Sequence, residues 1–408
     1  MQLALLWYET FKGCLEEIGF KINPYDPCVA NKNINGEQCT ICWYVDDTKI
    51  SHKDSKVVDS IISNIENKFG KMTVTRGNKH TFIGVDIEFT KTGMVILSME
   101  NYIEECIKIY NEHVKKSAAT SAKGILFDED DVDQAIRLDE SEAEKFHHAT
   151  AKLLYASKRV RIDIDLAISF LCTRVASPTI GDRNKLIRVM SYLKGTKRMK
   201  RVMGMNGPGY IQTWIDASYA IHRDMRGHTG GVISMGKGTM IHNCTKQKLN
   251  TKSSTESEVV GVSDFLPYTI WASYFLKAQG YKLNRNIFYQ DNTSAIKMMK
   301  NGKESCGSKS RHIHIRYFFT KDVIKRENME IKHCPTEQMV ADFYTKPIQG
   351  KQFYKLRNII MGHDTIPVEE CVGTSDKMAT GTSTKKQVSK NSSRASTKYG
   401  YHISNNFK

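Results

Sequence analysis

The sequence predicts a mixed α+β architecture, and three observations carry that prediction. Strand-like and helix-like runs alternate through residues 1 to about 115, helical runs dominate 145 to about 203, and strands followed by mixed elements fill 210 to about 360. At 408 residues the chain is long enough for two or three cores, and 40% hydrophobic with 25% charged residues is ordinary for a folding chain.

Each element follows from its pattern. "LWYETFKGCLEEIGF" has helical spacing, and "CTICWYVDDTKIS" alternates like a hairpin that lifts Asp46 and Asp47 to its tip. "SKVVDSIISNIENKFG" is helical again and stops at Gly70. "HTFIGVDIEFT" and "GMVILSM" are each expected as a strand, and "ENYIEECIKIYNEH" as a helix. From Phe127 to Glu144 nine of eighteen residues are acidic, which predicts a solvated connector. "FHHATAKLLYASKRV", "DIDLAISFLCTRVAS" and "DRNKLIRVMSYLKGT" then read as helices, broken by Pro178 and Gly195.

"GPG" at 207–209 marks a boundary, after which "YIQTWIDASYA", "GHTGGVISMG" and "GTMIHNCTKQK" read as strands. A helix from about Thr255 to Gln279, a strand "NIFYQDN", another helix, a strand "NMEIKHC" and a last helix "EQMVADFYTKP" follow. The Ser/Thr/Lys-rich tail is expected to be disordered, with loose phosphate contacts.

Composition narrows the function. No apolar run approaches the roughly 20 residues of a membrane span, and the start lacks a leader pattern, so no membrane or secretory role is expected. Ten scattered cysteines suit a reducing compartment; the pair Cys39 and Cys42 lacks a second pair for zinc and reads as small core residues. A net charge of +16 favours a polyanionic partner, nucleic acid first.

In the last third Asp216 sits in a strand, Glu258 begins a helix, Asp291 ends a strand and Asp342 falls in the last helix, each where a neutral or apolar residue would suit better. Pairs of such carboxylates about 4 Å apart would repel by up to roughly 4 kcal/mol at an effective dielectric near 20. Two divalent ions, Mg2+ or Mn2+, would relieve that repulsion and give a route to phosphodiester hydrolysis. Asp291 alone suits a helix N-cap as well as a ligand. Glu256 and Glu258 both have capping-box spacing and point about 200° apart on a helix, so only one can join a site, and periodicity does not choose.

"WIDASYA", "HTGGV", "KQKLNTKSSTESE", "YQDNTSAI", "SRHIHIRYFF" and "CPTEQMVADFYTKP", in that order, resemble the ribonuclease H domain of the Pol polyprotein of copia-type LTR retrotransposons. The resemblance implies a mixed five-stranded sheet flanked by helices over 206–362 and gives Glu258, with Asp216, Asp291 and Asp342, the catalytic and metal-binding roles; Glu256 becomes a cap or surface residue. His312, His314 and Arg316 sit in a basic stretch that suits hybrid contacts and ordinary loop or helix-start residues alike, and the resemblance itself implies no role for His314, which stands where the family has an aspartate.

"YVDD", "TFIGVDIEF" and "ENYIEECI" are similar to the later palm of the family's reverse transcriptase over 1–115, and 116–205 resembles the acidic linker and helical connection. In that connection Arg161-Ile162-Asp163 replaces Arg-Pro-Asp, for which a local backbone change without chemical consequence is expected. The family's polymerase needs a third aspartate on an earlier palm strand, and nothing in residues 1–43 has that form; Asp46 and Asp47 read as a polymerase remnant. Fingers and early palm are expected to be missing, as in a truncated Pol fragment with a disordered tail from 363 to 408.

The expected activity is two-metal hydrolysis of the RNA strand of RNA/DNA hybrids. The alternatives are a non-catalytic nucleic-acid-binding relic, or a full reverse transcriptase if upstream motifs exist in frame. Expected partners are an RNA/DNA hybrid or primer-template and, left open, a chain supplying the rest of Pol. Location is not fixed beyond an intracellular one, in a virus-like particle or nucleus, if the chain is expressed within Pol.

Overall fold

The computed structural model describes residues 2–128, 135–205, 209–302, 314–366 and 400–404. The protein is a mixed α/β chain with three sheets among these residues. Its front unit begins with α1 (Gln2–Glu17), followed by β1 (Lys21–Asn23), β2 (Asp26–Ile34), β3 (Glu37–Tyr44), β4 (Asp47–Ser51), α2 (Ser55–Phe69) and β5 (Thr73–Thr75). Both helices pack on one face of the sheet, where Phe11, Leu15, Ile41, Trp43, Ile61 and Ile65 form a separate core. Gly70 caps α2 at φ 85°, its N–H bonded to the Glu66 carbonyl, which is the stop read from the sequence.

The run expected as one strand around "TFIGVDIEF" is instead a hairpin, β6 (Lys79–Phe82) and β7 (Val85–Phe89). Gly84, at φ 70°, and Ile83, at φ 46°, let the chain reverse in two residues. β8 (Val95–Ser98) and α3 (Glu100–Lys108) follow as expected. The acidic block is only partly a connector: residues 129–134 lie outside the described set, while Asp139 caps α4 (Glu140–Arg159) by accepting from the Glu142 N–H. Acidic residues suit the start of a helix, so four of the nine acids, Asp139, Glu140, Glu142 and Glu144, belong to the start of α4.

α4 packs with α5 (Asp165–Cys172) and α6 (Ile180–Thr196). The expected backbone change is a 3-10 turn at Ile162–Ile164, but it has more chemistry than the sequence suggested. Arg161 is fully buried and forms a two-pronged ion pair with Asp163 at 2.9 and 2.7 Å; Tyr192 donates to the same carboxylate at 2.6 Å, and Thr196 accepts from the guanidinium at 2.7 Å.

β9 (Arg201–Met205) then leads into β10 (Tyr210–Ser218), β11 (His228–Ser234), β12 (Gly236–Lys237), β13 (Ile241–Lys246), α7 (Ser254–Ala278), β14 (Arg285–Gln290), α8 (Thr293–Asn301), α9 (His314–Arg326), β15 (Glu330–His333) and α10 (Gly350–Ile360). One sheet has the order β13-β11-β10-β14-β15, its first three strands antiparallel and β10, β14 and β15 parallel. Another, β12-β9-β8-β7-β6, is stitched from residues 79–98, 201–205 and 236–237. The largest core likewise runs from Val85 through Phe146, Leu193 and Trp214 to Leu356, across the expected boundary at 205/206.

Most of the tail lies outside the described residues, as do Gly207 and Pro208 of the "GPG" boundary. Residues 400–404 nonetheless form β16 (Gly400–Ser404) between β4 and β5, where disorder was expected. Its run "GYHIS" is β-prone within otherwise polar surroundings. Among the described residues no helix is long and apolar enough to cross a membrane.

Candidate metal centre

β10 is buried on both faces, with Ile211 and Ile215 in the core under α7 and Trp214 in the larger core opposite. Period-two alternation sets Asp216 on the Trp214 side. β14 runs parallel with Trp214 opposite Tyr289, and the same register carried two residues onward sets Asp291 beside Asp216. Glu258 arrives from the second turn of α7, and Asp342 from a 3-10 turn, Val340–Tyr344, rather than the helix expected there. Pro335 and Pro347 bracket that segment, and proline disfavours helix in the residue before it, so the α-helix is delayed to Gly350.

Two glycines of "HTGGV" permit this assembly. A Cβ on Gly231 would lie 2.3 Å from the Phe265 ring of α7, and one on Gly230 would lie 2.8 Å from the Ala341 carbonyl oxygen. Adjacent residues of β11 thus let α7 close on one face and the Asp342 turn on the other.

Carboxylate oxygens of Asp216, Glu258 and Asp291 lie within 4.8 Å of one another, the one such group of three among the described residues. Asp216, Glu258 and Asp342 are buried, and Asp291 is half-buried. Burial, with the charges of Asp216 and Asp291, pushes the Glu258 carboxyl well above its usual range. Burial and Asp216 also raise Asp291, and raise Asp342 to about 7 against the pull of Lys346. Such a cluster calls for protons or cations, and its all-oxygen donor set fits a hard divalent ion. Asp216, Glu258 and Asp291 could hold a metal.

Two choices left open by periodicity are closed by contacts. Asn292, not Asp291, caps α8, its side chain accepting from the Ala295 N–H at 3.0 Å. At α7 Ser253 is the cap, accepting from the Glu256 N–H at 3.2 Å, and the Glu256 carboxylate accepts from the Lys252 N–H, so Glu256 belongs to the helix start and Glu258 to the site.

Three further side chains escaped the sequence reading. Gln290 donates to Glu258 at 3.2 Å and to the Ile215 carbonyl at 3.3 Å, and accepts from the N–H groups of Asp291 and Asn292 at 2.8 and 3.0 Å. The Thr345 hydroxyl donates to Asp216 Oδ2. Lys346 Nζ lies 2.7 Å from Asp342 Oδ1 and 3.5 Å from Asp216 Oδ1. "TK" directly after an acidic turn was the available signal; nothing local marked Gln290.

Asp46 and Asp47 stand elsewhere. They close the β3–β4 hairpin, with Tyr44 opposite Asp47, and Val45 at the tip has φ 54°. Asp47 accepts from the Ile83 N–H at 3.4 Å and lines a cleft of about 750 Å³ with Lys79, Ile83, Asp86 and Lys200. Among the described residues no third carboxylate joins these two in a ligand group. Cys39 and Cys42 are buried and half-buried on β3, and burial raises their thiols to about 12 and about 11. His312 lies outside the described residues; His314 and Arg316 fall in the first turn of α9.

The chain is 24% identical over 375 residues to the Transposon Ty1-NL2, Ty1-JR1 and Ty1-LR2 Gag-Pol polyproteins of Saccharomyces cerevisiae. Its homologues are copia-type LTR retrotransposon polyproteins. The match covers 86% of this chain, which spans about a fifth (21%) of the length of each of these Gag-Pol relatives. No family model matches the chain, and no solved structure does.

Proposed function

We propose that the part of this Gag-Pol homologue from β10 to α10 is a ribonuclease H-type unit that hydrolyses the RNA strand of RNA/DNA hybrids. The observation that carries the reading is the convergence of Asp216, Glu258 and Asp291 from separated segments at the ends of the central strands β10 and β14, with Asp342 joined to Asp216 through Lys346. The mixed five-stranded sheet and the net charge of +16 support it. These carboxylates would hold two ions, Mg2+ or Mn2+, which when bound supply an activated water and stabilise the leaving oxygen. Gln290 orients Glu258, and Thr345 fixes one oxygen of Asp216 so that the other faces the cluster.

The front unit is proposed as a palm remnant that holds primer-template without polymerising, since among the described residues no third carboxylate completes a ligand group with Asp46 and Asp47. Dependence on further Pol regions belongs to the same proposal. The test uses the full chain, a labelled RNA/DNA hybrid and Mg2+ or Mn2+. Cleavage is expected, and is expected to vanish in Asp216→Asn; a folded chain that leaves the hybrid intact with either ion would overturn the nuclease reading in favour of a binding relic. No dNTP incorporation is expected on a primed RNA template.

A further inference from the structure

We propose that Lys346 is a built-in counter-ion that occupies the cation position between Asp216 and Asp342, so that the chain loads its divalent ions in order, one readily and the second only by displacing this lysine. The inference rests on the metal-dependent reading above and concerns how the same site is filled.

The carboxylates are not equivalent. Asp216, Glu258 and Asp291 already converge within 4.8 Å, whereas Asp342 stands outside that group. Between Asp342 and the triad lies one ammonium, 2.7 Å from Asp342 Oδ1 and 3.5 Å from Asp216 Oδ1. Those are the two oxygens that a cation shared by Asp216 and Asp342 would use. The Thr345 hydroxyl engages the other oxygen of Asp216, which leaves Oδ1 committed to the cluster.

Residue type and exposure fit a displaceable ion. Lysine is a compact point charge on a flexible stem, where arginine would lock a carboxylate with a planar fork. The Lys346 side chain is 41% exposed while its partners Asp216 and Asp342 are 2% and 8% exposed, so the ammonium can swing into water without leaving a buried cation behind. Its place four residues after Asp342, just before Pro347, ties it to the turn that carries its own partner. A merely structural ion pair would support the whole cluster and weaken both binding steps when removed.

The experiment is a Mn2+ titration of the full chain without nucleic acid, free Mn2+ being read by electron paramagnetic resonance. Wild type is expected to take one ion readily and a second only at much higher concentration. Lys346→Met is expected to tighten the second step by at least about tenfold while changing the first by less than about threefold. Lys346→Arg should keep the wild-type order, and Asp291→Asn should weaken the first step. Lys346→Gln repeats the measurement if the methionine variant fails to fold. An unchanged second step in a folded variant, or an equal shift of both steps, would overturn the proposal. Ordered loading without hybrid cleavage would retain the counter-ion and remove the nuclease, whereas cleavage with an unmoved second step would do the reverse. Wild type that binds no Mn2+ would remove both.

Discussion

Gln290 uses both ends of its amide, holding Glu258 with one and the turn into Asp291 with the other. Replacing it with leucine is expected to weaken Mn2+ binding by about 10–100-fold without unfolding the chain, as loss of a ligand-orienting partner does elsewhere; the titration above would read it. A second residue-scale prediction concerns His222 and His228, whose rings meet at 3.0 Å under Phe127. Burial and then Lys246 depress His222 to about 4; burial and then His222 depress His228 to about 3. The unfolded chain therefore takes up protons near pH 6.5 while the folded one does not, so stability falls as pH drops from about 6.5 toward about 3. Urea midpoints should decline between pH 7 and 5, and less steeply in His222→Leu; an identical slope would refute the assignment. Acid in apolar surroundings is a local signal that made Asp216, Glu258, Asp291 and Asp342 candidates, but the choice of Glu258 over Glu256 came from the family resemblance and not from the pattern. Gln290, Thr345 and Lys346 were not legible, since their roles come from residues 32 to 130 positions away or from a turn the pattern misread.

At the scale of elements, close approach and turn strain decide more than propensity. Gly231→Ala should drive a methyl into the Phe265 ring and destabilise the chain by about 1–3 kcal/mol, measurable by urea unfolding. Val45, β-branched at φ 54° and exposed on the hairpin, is the opposite case: Val45→Gly is expected to stabilise by about 1 kcal/mol by releasing backbone strain. An unchanged midpoint in either variant would contradict the corresponding contact or strain. Most helices and the YVDD hairpin were readable from period and capping residues, but the last expected helix is a 3-10 turn and α10 lies beyond it. The β6–β7 hairpin was not readable, because Ile83-Gly84 sits inside an uninterrupted apolar alternation and its reversal is set by φ alone.

Across the whole molecule, a buried ion pair ties the helical middle to itself and a buried carboxylate of α5 faces the strands. Arg161 and Asp163 are shielded from water, so Asp163→Asn, which leaves the guanidinium under-compensated, is expected to cost about 3–5 kcal/mol. Thermal or urea unfolding would show it, and a change under about 1 kcal/mol would demote the pair. Asp165 accepts from Lys158 at 2.7 Å and faces His242 of β13 at 3.1 Å, a link between α5 and the sheet that no composition break announces. The sequence break near residue 206 was real as composition, yet core and sheet pass straight across it, since packing does not follow local charge or glycine content.

Arg201 draws a consequence from that continuity. Its guanidinium donates to the carbonyls of Arg159, Thr239 and Met240, fastening α4 to the β12–β13 segment from a strand that lies just before the compositional break. A gene fragment opening at residue 206 would inherit the carboxylates but not this clasp, and would expose the interior that α4, α5 and α6 normally cover. For this chain, then, the heritable folding unit is longer than the motifs that carry the carboxylates: recombination or proteolytic processing that preserves the fold is expected to break upstream of the helices, not at the glycines.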